Sequence, residues 1–322
     1  MKSKALLIDH TEVKPGESKR ITVNIARLPS HTPIQITITV SRALEPGPTI
    51  LLMGGLHGDE INGIEIVRRI IERNLHIPKK GTTICIPIIN IFGFIHFSRY
   101  VPDGKDVNRS FPGNKNGSLA ARVAYYLMKE IVPKIDYGLD FHTGGADRTN
   151  FPQLRCVMTD PDNAKLAGVF AAPFSLHSPF RPKSLRWAAA KLGKKILVYE
   201  GGESARFDEY AINQGIQGAT RFLHHMGMTD HTAPIEHPSI LIKSSSWIRA
   251  KASGLFLSEI KSGQKVKKNQ VVGYISDPFG EFTIPVRSGA TGYVIGLNNN
   301  PILHQGDAVM HIGVIKAETP PM

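Results

Sequence analysis

Cysteine is scarce in this sequence: only Cys85 and Cys156 occur among its 322 residues. Both lie in apolar, strand-like stretches, and their spacing matches neither a disulfide framework nor a metal-binding motif. The chain is therefore not one of the small secreted domains that depend on disulfide bonds, and we expect two buried free thiols in a reducing compartment.

Long apolar runs are missing as well. No stretch reaches the roughly 18 apolar residues that a membrane-spanning helix needs. The N-terminal apolar run, 5–8, ends at Asp9 and is too short for a signal peptide. We therefore expect a cytoplasmic protein without a membrane partner.

Acidic residues are fewer than basic ones: 27 Asp and Glu stand against 39 Lys and Arg, which gives a formal net charge of +12. A positive surplus of this size attracts anions, so nucleic acid and acidic metabolites are both candidate partners. The basic residues are scattered, however, and the densest runs, 79–80, 194–195 and 265–268, are short. Because the sequence has neither a long basic helix nor aromatic residues interleaved with basic ones, we expect no nucleic acid partner.

The first two thirds of the chain alternate between continuous apolar stretches and amphipathic ones. The apolar stretches 49–53, 137–141 and 195–199 predict buried strands, whereas 118–131 and 211–226 have the apolar spacing of helices. Buried strands that alternate with helices predict an α/β domain with a mostly parallel sheet.

The pattern changes near the linker at 232–234. Residues 240–315 show no helical period, and their short β-branched runs are separated by glycines, which predicts a small all-β module. We therefore predict two domains, residues 1–235 with an N-terminal β segment and residues 236–322.

Two histidines and one glutamate lie where predicted strands end. His57 and Glu60 are three residues apart after the first buried strand, and His142 directly follows a later one. Ligands bind at the carboxyl ends of strands in open α/β sheets, so we expect these side chains to meet. Two imidazoles and one carboxylate suit zinc and leave a position open for water, as in catalytic sites. Asp140 is a candidate to orient one ligand from behind.

A further carboxylate, Glu200, ends another buried strand. A carboxylate beside zinc-bound water can take its proton and later deliver it to the leaving amine. Glu203, three residues further along, is the rival for this role. Glu200 is preferred because a strand end is held more rigidly than a loop.

Arg99, Asn108 and Arg109 lie in a predicted loop between the strands at 49–53 and 137–141. Arg109 beside Asn108 is suited to bind a carboxylate, because guanidinium donates two parallel hydrogen bonds to it. Arg99 is suited to stabilise the oxyanion of a tetrahedral intermediate. Without the histidines and glutamates, exposed loop arginines would be the simpler interpretation.

The order of these residues resembles the succinylglutamate desuccinylase/aspartoacylase family, a branch of the zinc carboxypeptidase-like hydrolases, over about residues 45–225. The resemblance implies one zinc ion per chain. The roles that it implies are zinc binding for His57, Glu60 and His142, general base for Glu200, carbonyl polarisation for Arg99, and binding of a substrate carboxylate for Asn108 and Arg109.

Residues 240–315 resemble the biotinyl/lipoyl-like barrel-sandwich module that the prokaryotic predicted-deacylase branch of that family carries. Carrier domains of this kind place a modified lysine at a hairpin tip. The matching stretch here, 277–281, reads Asp-Pro-Phe-Gly-Glu and contains no lysine. We therefore expect the module to cover the zinc cleft or to form a subunit interface, which leaves a homo-oligomer open.

The predicted function is zinc-dependent hydrolysis of an amide bond in a small N-acyl amino acid or a similar carboxylate-bearing substrate. A carboxypeptidase-like peptidase is one alternative. The active-site tyrosine that carboxypeptidases use has no identifiable counterpart, which favours the deacylase. A catalytically silent zinc-binding or ligand-binding protein that keeps the fold is the other alternative.

Overall fold

The computed structural model describes residues 6–315. Residues 1–5, on which part of the signal-peptide prediction rests, and residues 316–322 lie outside the described part. The strands that precede the predicted linker are β1 (Leu6–Ile8), β2 (Thr11–Val13), β3 (Ser18–Arg27), β4 (Pro33–Arg42), β5 (Glu45–Gly54), β6 (Lys80–Ile86), β7 (Tyr137–Gly144), β8 (Arg148–Cys156), β9 (Phe174–His177) and β10 (Lys195–Glu203).

The helices lie between these strands and after the last of them. Ser118 caps α3, as its position before the apolar pattern suggests, and a single π-helical turn continues α3 to residue 131. Among residues 6–315, no helix is long and apolar enough to cross a membrane. Their bounds are α1 (Ile61–Glu72), α2 (Ile91–Ile95), α3 (Leu119–Tyr126), α4 (Pro161–Phe170), α5 (Leu185–Ala190) and α6 (Glu209–His225).

Residues 240–315, here called the C-terminal β module, contain strands and no helix, as the missing helical period predicts. The strands are β11 (Ile240–Ile242), β12 (Ser244–Arg249), β13 (Gly254–Ser258), β14 (Lys265–Val266), β15 (Val271–Ser276), β16 (Thr283–Arg287), β17 (Gly292–Asn298), β18 (Ile302–Leu303) and β19 (Ala308–Val314).

The strands with continuous apolar sequence lie side by side at the centre of one large sheet. Their order there is β6, β5, β7 and β10, and each pair is parallel. Alternate residues of β5 enter different apolar cores, Leu51 and Met53 on one face and Ile50 and Leu52 on the other. Because both faces are covered, these strands lack the alternation of half-buried ones. Their carboxyl ends meet at one edge of the sheet, where the predicted site residues lie.

The sheet as a whole is mixed rather than mostly parallel, although β9 also pairs in parallel with β8 and with β11. Beyond β6, the β3–β4 hairpin adds antiparallel strands. Beyond β10, β8 pairs antiparallel. The physical reason is connection length: the turns at 28–32 and 145–147 are too short for the crossover that parallel neighbours require, so each following strand reverses direction.

The C-terminal β module continues the same sheet. β17 pairs antiparallel with β8, and β19 and β12 follow it outward. Four other strands, β13, β15, β16 and β18, form a second antiparallel sheet. A separate apolar core, which includes Phe256, Val272 and Met310, joins strands of both sheets. The division at residue 235 and the barrel-sandwich topology stay predictions.

Helix α1 packs closely on β7 because a glycine faces the strand. A Cβ atom at Gly63 would lie 2.1 Å from the carbonyl oxygen of Phe141. Glu60 directly precedes α1, and His142 directly follows Phe141. The close approach of the helix to the strand therefore sets the distance between two of the predicted metal ligands.

Gly63→Ala should lower the free energy of unfolding by about 1–3 kcal/mol, since the added methyl group must push α1 away from β7. Gly168→Ala in α4 is the matched control, because a Cβ atom there meets nothing within 4 Å. That variant should raise the free energy of unfolding by about 0.5–1 kcal/mol, because alanine lowers the conformational entropy of the unfolded chain. Urea denaturation followed by circular dichroism measures both, and equal effects would contradict the close packing.

Candidate metal centre and active-site cavity

The structure brings the three predicted metal ligands together. One donor atom from each of His57, Glu60 and His142 lies within 4.8 Å of the others, and all three residues are buried. The Glu60 carboxylate is shared: Oε1 lies 2.7 Å from Nδ1 of His57, and Oε2 lies 2.7 Å from Nδ1 of His142. Each imidazole therefore directs its Nδ1 atom toward the Glu60 carboxylate.

Local backbone geometry explains how these side chains reach that point. The turn after β5 passes so close to α2 that a Cβ atom at Gly58 would lie 1.8 Å from the carbonyl carbon of Gly93. A Cβ atom at Gly145 would lie 2.9 Å from Oε1 of Glu60. Glu60 sits at the N-cap position of α1, but its side chain makes no capping hydrogen bond. Helix capping therefore does not account for this glutamate.

Each imidazole is backed by a second carboxylate. Nε2 of His142 lies 2.9 Å from Oδ2 of Asp140, and Nε2 of His57 lies 3.2 Å from Oδ1 of Asp106. Such carboxylate–histidine pairs fix the orientation of metal-binding imidazoles and raise their basicity. The sequence suggested this role for Asp140, whereas it assigned none to Asp106.

The electrostatics of the cluster favour a cation. Burial opposes ionisation of Glu60, but the adjacent imidazoles outweigh it and hold the pKa of this carboxyl well below its ordinary range. Burial likewise disfavours the charged form of His142, but Asp140 and Glu60 raise its pKa well above the usual value. Two nitrogen donors and one carboxylate, each imidazole oriented from behind, match the donor set of a catalytic zinc site. The residues present therefore fit Zn²⁺.

Arg99 lies at the rim of this cluster. Its Nε and Nη2 atoms donate to Oδ2 of Asp106 at 3.0 and 2.9 Å. Its Nη1 atom donates to Oε1 of Glu60 at 3.2 Å and lies at the same distance from Nδ1 of His57. Asp106 therefore orients both His57 and the guanidinium, which is placed beside the ligand set as the predicted role of Arg99 requires.

Asn108 and Arg109 lie in a 3₁₀ turn, Val107–Arg109, and both line the same cavity as the ligand cluster. Oδ1 of Asn108 accepts a hydrogen bond from the backbone N–H of Leu185 at 2.9 Å, which ties the turn to α5. Nη1 of Arg109 donates to the carbonyl oxygen of Asn108 at 2.6 Å. The predicted substrate-binding pair is thus held at the cavity wall.

The two candidate bases lie in different surroundings. Glu200 lies opposite His142 in the parallel ladder between β10 and β7 and lines the cavity. Glu203 does not belong to the cavity lining, and its carboxylate lies 3.7 Å from Nε of Arg206. The position of Glu200 beside the ligand cluster favours it over Glu203 as the base.

The cavity has a volume of about 1170 Å³, and several of its lining residues were missed by sequence reasoning. Only the end of strand β8, around Cys156, was indicated by the sequence, because Asn150 and Pro152 interrupt the rest of its pattern with residues that strands disfavour. The lining residues of the C-terminal β module belong to no recognisable motif and lie more than a hundred positions from the ligands. The missed residues that the structure adds to the wall include Arg148, Asn150, Arg155, Arg181, Arg186, Trp247 and His311.

Comparison with known proteins gives a family match over the region that carries the site. The family model of the succinylglutamate desuccinylase/aspartoacylase catalytic domain matches residues 46–226, a span that includes every predicted site residue. The chain is also 28% identical over 298 residues to the N-alpha-acetyl-L-2,4-diaminobutyric acid deacetylase of Halomonas elongata, which covers 88% of this chain and 86% of that protein.

Solved structures share the fold over nearly the whole chain. A succinylglutamate desuccinylase/aspartoacylase from Rhodobacter sphaeroides has a TM-score of 0.83 at 23% identity and covers 93% of this chain and 95% of its own. The product-bound ectoine utilization protein EutE (DoeB) from Ruegeria pomeroyi has a TM-score of 0.83 at 23% identity, with 92% and 95% covered. At this identity the likeness shows a common mixed α/β fold.

Asp140→Asn should weaken zinc binding by about 10–100-fold, because the amide can no longer act as the anionic acceptor behind His142. Competition with a chromophoric chelator measures the dissociation constant. Asp230→Asn is the control, since Asp230 is an exposed residue that pairs with Lys79 and does not line the cavity. Unchanged zinc affinity in Asp140→Asn would show that zinc binding by His142 does not depend on the Asp140 carboxylate.

Proposed function

The chain belongs to the succinylglutamate desuccinylase/aspartoacylase family, and on that premise we propose that it is a zinc-dependent deacylase of small carboxylate-bearing substrates such as N-acyl amino acids. As a member of this family it is a hydrolase of carbon–nitrogen bonds other than peptide bonds. One observation carries the proposal: the His57, Glu60 and His142 cluster opens into the same cavity as Glu200.

His57, Glu60 and His142 would hold the zinc ion, with Asp106 and Asp140 orienting the two imidazoles. When bound, zinc supplies Lewis acidity, which lowers the pKa of a bound water and polarises a carbonyl oxygen. The remaining contributions come from side chains of this chain.

Glu200 acts as the general base and then as the general acid. Its carboxylate takes a proton from the attacking water and delivers it to the nitrogen of the leaving amine. Its placement opposite His142 in the β10–β7 ladder supports this role. Hydrogen bonds from Asn150 and Arg155 keep the carboxylate in one orientation.

Arg99 stabilises the negative charge that develops on the carbonyl oxygen. Its guanidinium is already oriented by two hydrogen bonds to Asp106, so it needs little reorganisation during the reaction. The contact between its Nη1 atom and Glu60 places positive charge beside the ligand cluster, where the scissile carbonyl would lie.

The charge of the cavity supports an anionic substrate. Of the arginines in its wall, Arg99 and Arg155 pair with carboxylates. The others form no ion pair within residues 6–315, and unneutralised positive charge in a cavity attracts anions. These arginines are Arg109, Arg148, Arg181 and Arg186.

Asn108 and Arg109 bind the carboxylate of the amino acid half. The backbone N–H of Leu185 donates to Oδ1 of Asn108, so the Nδ2 amide is left to donate to a substrate. Together with the guanidinium of Arg109 it matches the geometry of a carboxylate. The N-acetylated amino acid named for the Halomonas elongata relative carries such a carboxylate and is the first substrate to test.

We further propose that residues 1–235 form the hydrolase domain and residues 236–322 a second domain that completes the cavity. Ser245, Trp247 and His311 of the C-terminal β module line the cavity together with the ligand cluster. This arrangement supports the expectation that the module covers the cleft, and it makes the module part of the substrate-binding wall.

Glu200→Gln should reduce turnover by about 10²–10⁴-fold while zinc content stays at the wild-type level, because the amide can neither accept nor deliver the proton. Glu203→Gln is the matched control and should retain activity. Release of free amine from N-acyl amino acids measures turnover, and atomic absorption measures zinc. Near-normal turnover of Glu200→Gln would reassign the base.

Arg109→Met should lower kcat/KM for an N-acyl amino acid by roughly 10–100-fold, since charge-assisted hydrogen bonds to the carboxylate are lost. The same substitution should change kcat/KM little for the corresponding carboxamide, which lacks the charge. Arg206→Met, at an arginine that is 78% exposed and outside the cavity lining, is the control variant. Equal losses on both substrates would argue against a carboxylate at Arg109.

The peptidase alternative predicts a different substrate range. A carboxypeptidase-like enzyme would cleave peptides with free C-termini and leave N-acyl amino acids intact. A silent zinc-binding or ligand-binding protein would turn over neither class, whether or not it carries zinc. Assaying the zinc-loaded protein with both classes separates the three possibilities.

A further inference from the structure

Strand β8 connects the strand that carries Glu200 with the C-terminal β module. It pairs antiparallel with β10 along one edge and with β17 along the other. Asn150 illustrates this position, since it lies opposite Gly202 of β10 and opposite Gly296 of β17. Strand β8 is therefore the element through which β17 adjoins the strand that carries Glu200.

Both carboxylate oxygens of Glu200 are held from β8. Nδ2 of Asn150 donates to Oε2 at 2.9 Å, and Nη1 of Arg155 donates to Oε1 at 3.2 Å. In the antiparallel register Glu200 lies opposite Gln153, so Arg155 is its diagonal neighbour. Side chains at such diagonal positions are within reach of each other when one of them is long.

The C-terminal β module supports Arg155 through Gln153, which is fully buried. Oε1 of Gln153 accepts hydrogen bonds from Nε and Nη2 of Arg155, both at 3.3 Å. Its Nε2 amide donates to the carbonyl oxygens of Phe151 at 3.1 Å and of Ile295 at 2.8 Å. Ile295 belongs to β17, so a continuous chain of hydrogen bonds leads from the module to Glu200.

The module also limits the space around Asn150, through Gly296, which follows Ile295 in β17. A Cβ atom built on Gly296 would lie 3.0 Å from Oδ1 of Asn150 and 3.3 Å from Cβ of His311. A contact of 3.0 Å forces the neighbouring side chain to move by a few tenths of an ångström. Glycine at this position therefore leaves Asn150 just enough room to reach Glu200.

We propose that the C-terminal β module positions the general base, and that Asn150, Gln153 and Arg155 are the positioning residues that connect β17 with Glu200. The proposal rests on the proposed role of Glu200 as the base. It gives the module a second task besides forming a wall of the cavity, because two adjacent residues of β17 back the two hydrogen bonds that orient the carboxylate.

Asn150→Ala should lower kcat by about tenfold, with a much smaller change in KM and unchanged zinc content, because the Glu200 carboxylate loses its fixed orientation while the proposed carboxylate-binding residues Asn108 and Arg109 are intact. The assay uses the N-acetylated diaminobutyrate or whichever N-acyl amino acid the wild type turns over. A purely structural role predicts a lower melting temperature with kcat preserved, and that result would overturn the proposal.

A double-mutant cycle separates positioning of Glu200 from other effects. In the Glu200→Gln background, Asn150→Ala should cause no further loss of kcat, since residues that act through one group are not additive. An undiminished tenfold loss in that background would overturn the proposal. A fully active Glu200→Gln would show that the proposed base is wrong. A fully active Asn150→Ala together with an inactive Glu200→Gln would instead overturn only the positioning proposal.

Gly296→Ala tests the contribution of the module without removing any side chain. It should lower kcat by about three- to tenfold with KM unchanged, as the methyl group displaces Asn150. Gly289→Ala is the matched control, because a Cβ atom there meets nothing within 4 Å. Equal kcat values for these two variants would contradict the transmission from β17, and the comparison stays valid if Asn150→Ala fails to fold.

Crystal structures of the same variants give a readout that is independent of activity. The Glu200 carboxylate should occupy one orientation in wild type and in Gly289→Ala, and it should be displaced or disordered in Asn150→Ala and Gly296→Ala. An unchanged carboxylate in both of the latter variants would overturn the proposal.

Discussion

The Glu60 carboxylate holds two buried imidazoles at once, and the rest of the site is arranged around that contact. Each oxygen lies 2.7 Å from one imidazole nitrogen. Burying such groups is costly unless each is paired, and further carboxylates on His57 and His142 and the guanidinium of Arg99 complete the pairing. The contact in turn requires α1 to lie against β7, which a glycine at position 63 permits.

The sequence predicted the parts of the site that follow from strand ends. Stretches with uninterrupted apolar residues could be assigned to buried central strands, and the polar residues that follow such strands converge because parallel strands share one carboxyl edge. His57, Glu60, His142 and Glu200 were found in this way. The C-terminal module was predicted as all-β because glycines divide it into short β-branched runs.

The rest of the site depends on strand pairing that no local sequence pattern encodes. Strand β8, which pairs antiparallel with β10, carries a proline and an asparagine, so the sequence indicated a strand only around Cys156. The positions of Asn150 and Arg155 beside Glu200 were therefore missed. Trp247 and His311 reach the cavity only because β17 joins the module to β8. The large sheet is consequently mixed rather than mostly parallel, and the carboxylate of Glu200, the proposed base, is held from a strand that the sequence left largely unassigned.

We propose that His57, Glu60 and His142 hold one catalytic zinc ion. This proposal is tested by measuring the metal content and the N-acyl amino acid turnover of the purified wild-type protein and of His57→Ala. We expect about one zinc per chain and turnover in wild type, and loss of both in the variant. A wild-type protein that binds no zinc, and that stays inactive after zinc is added, would contradict it.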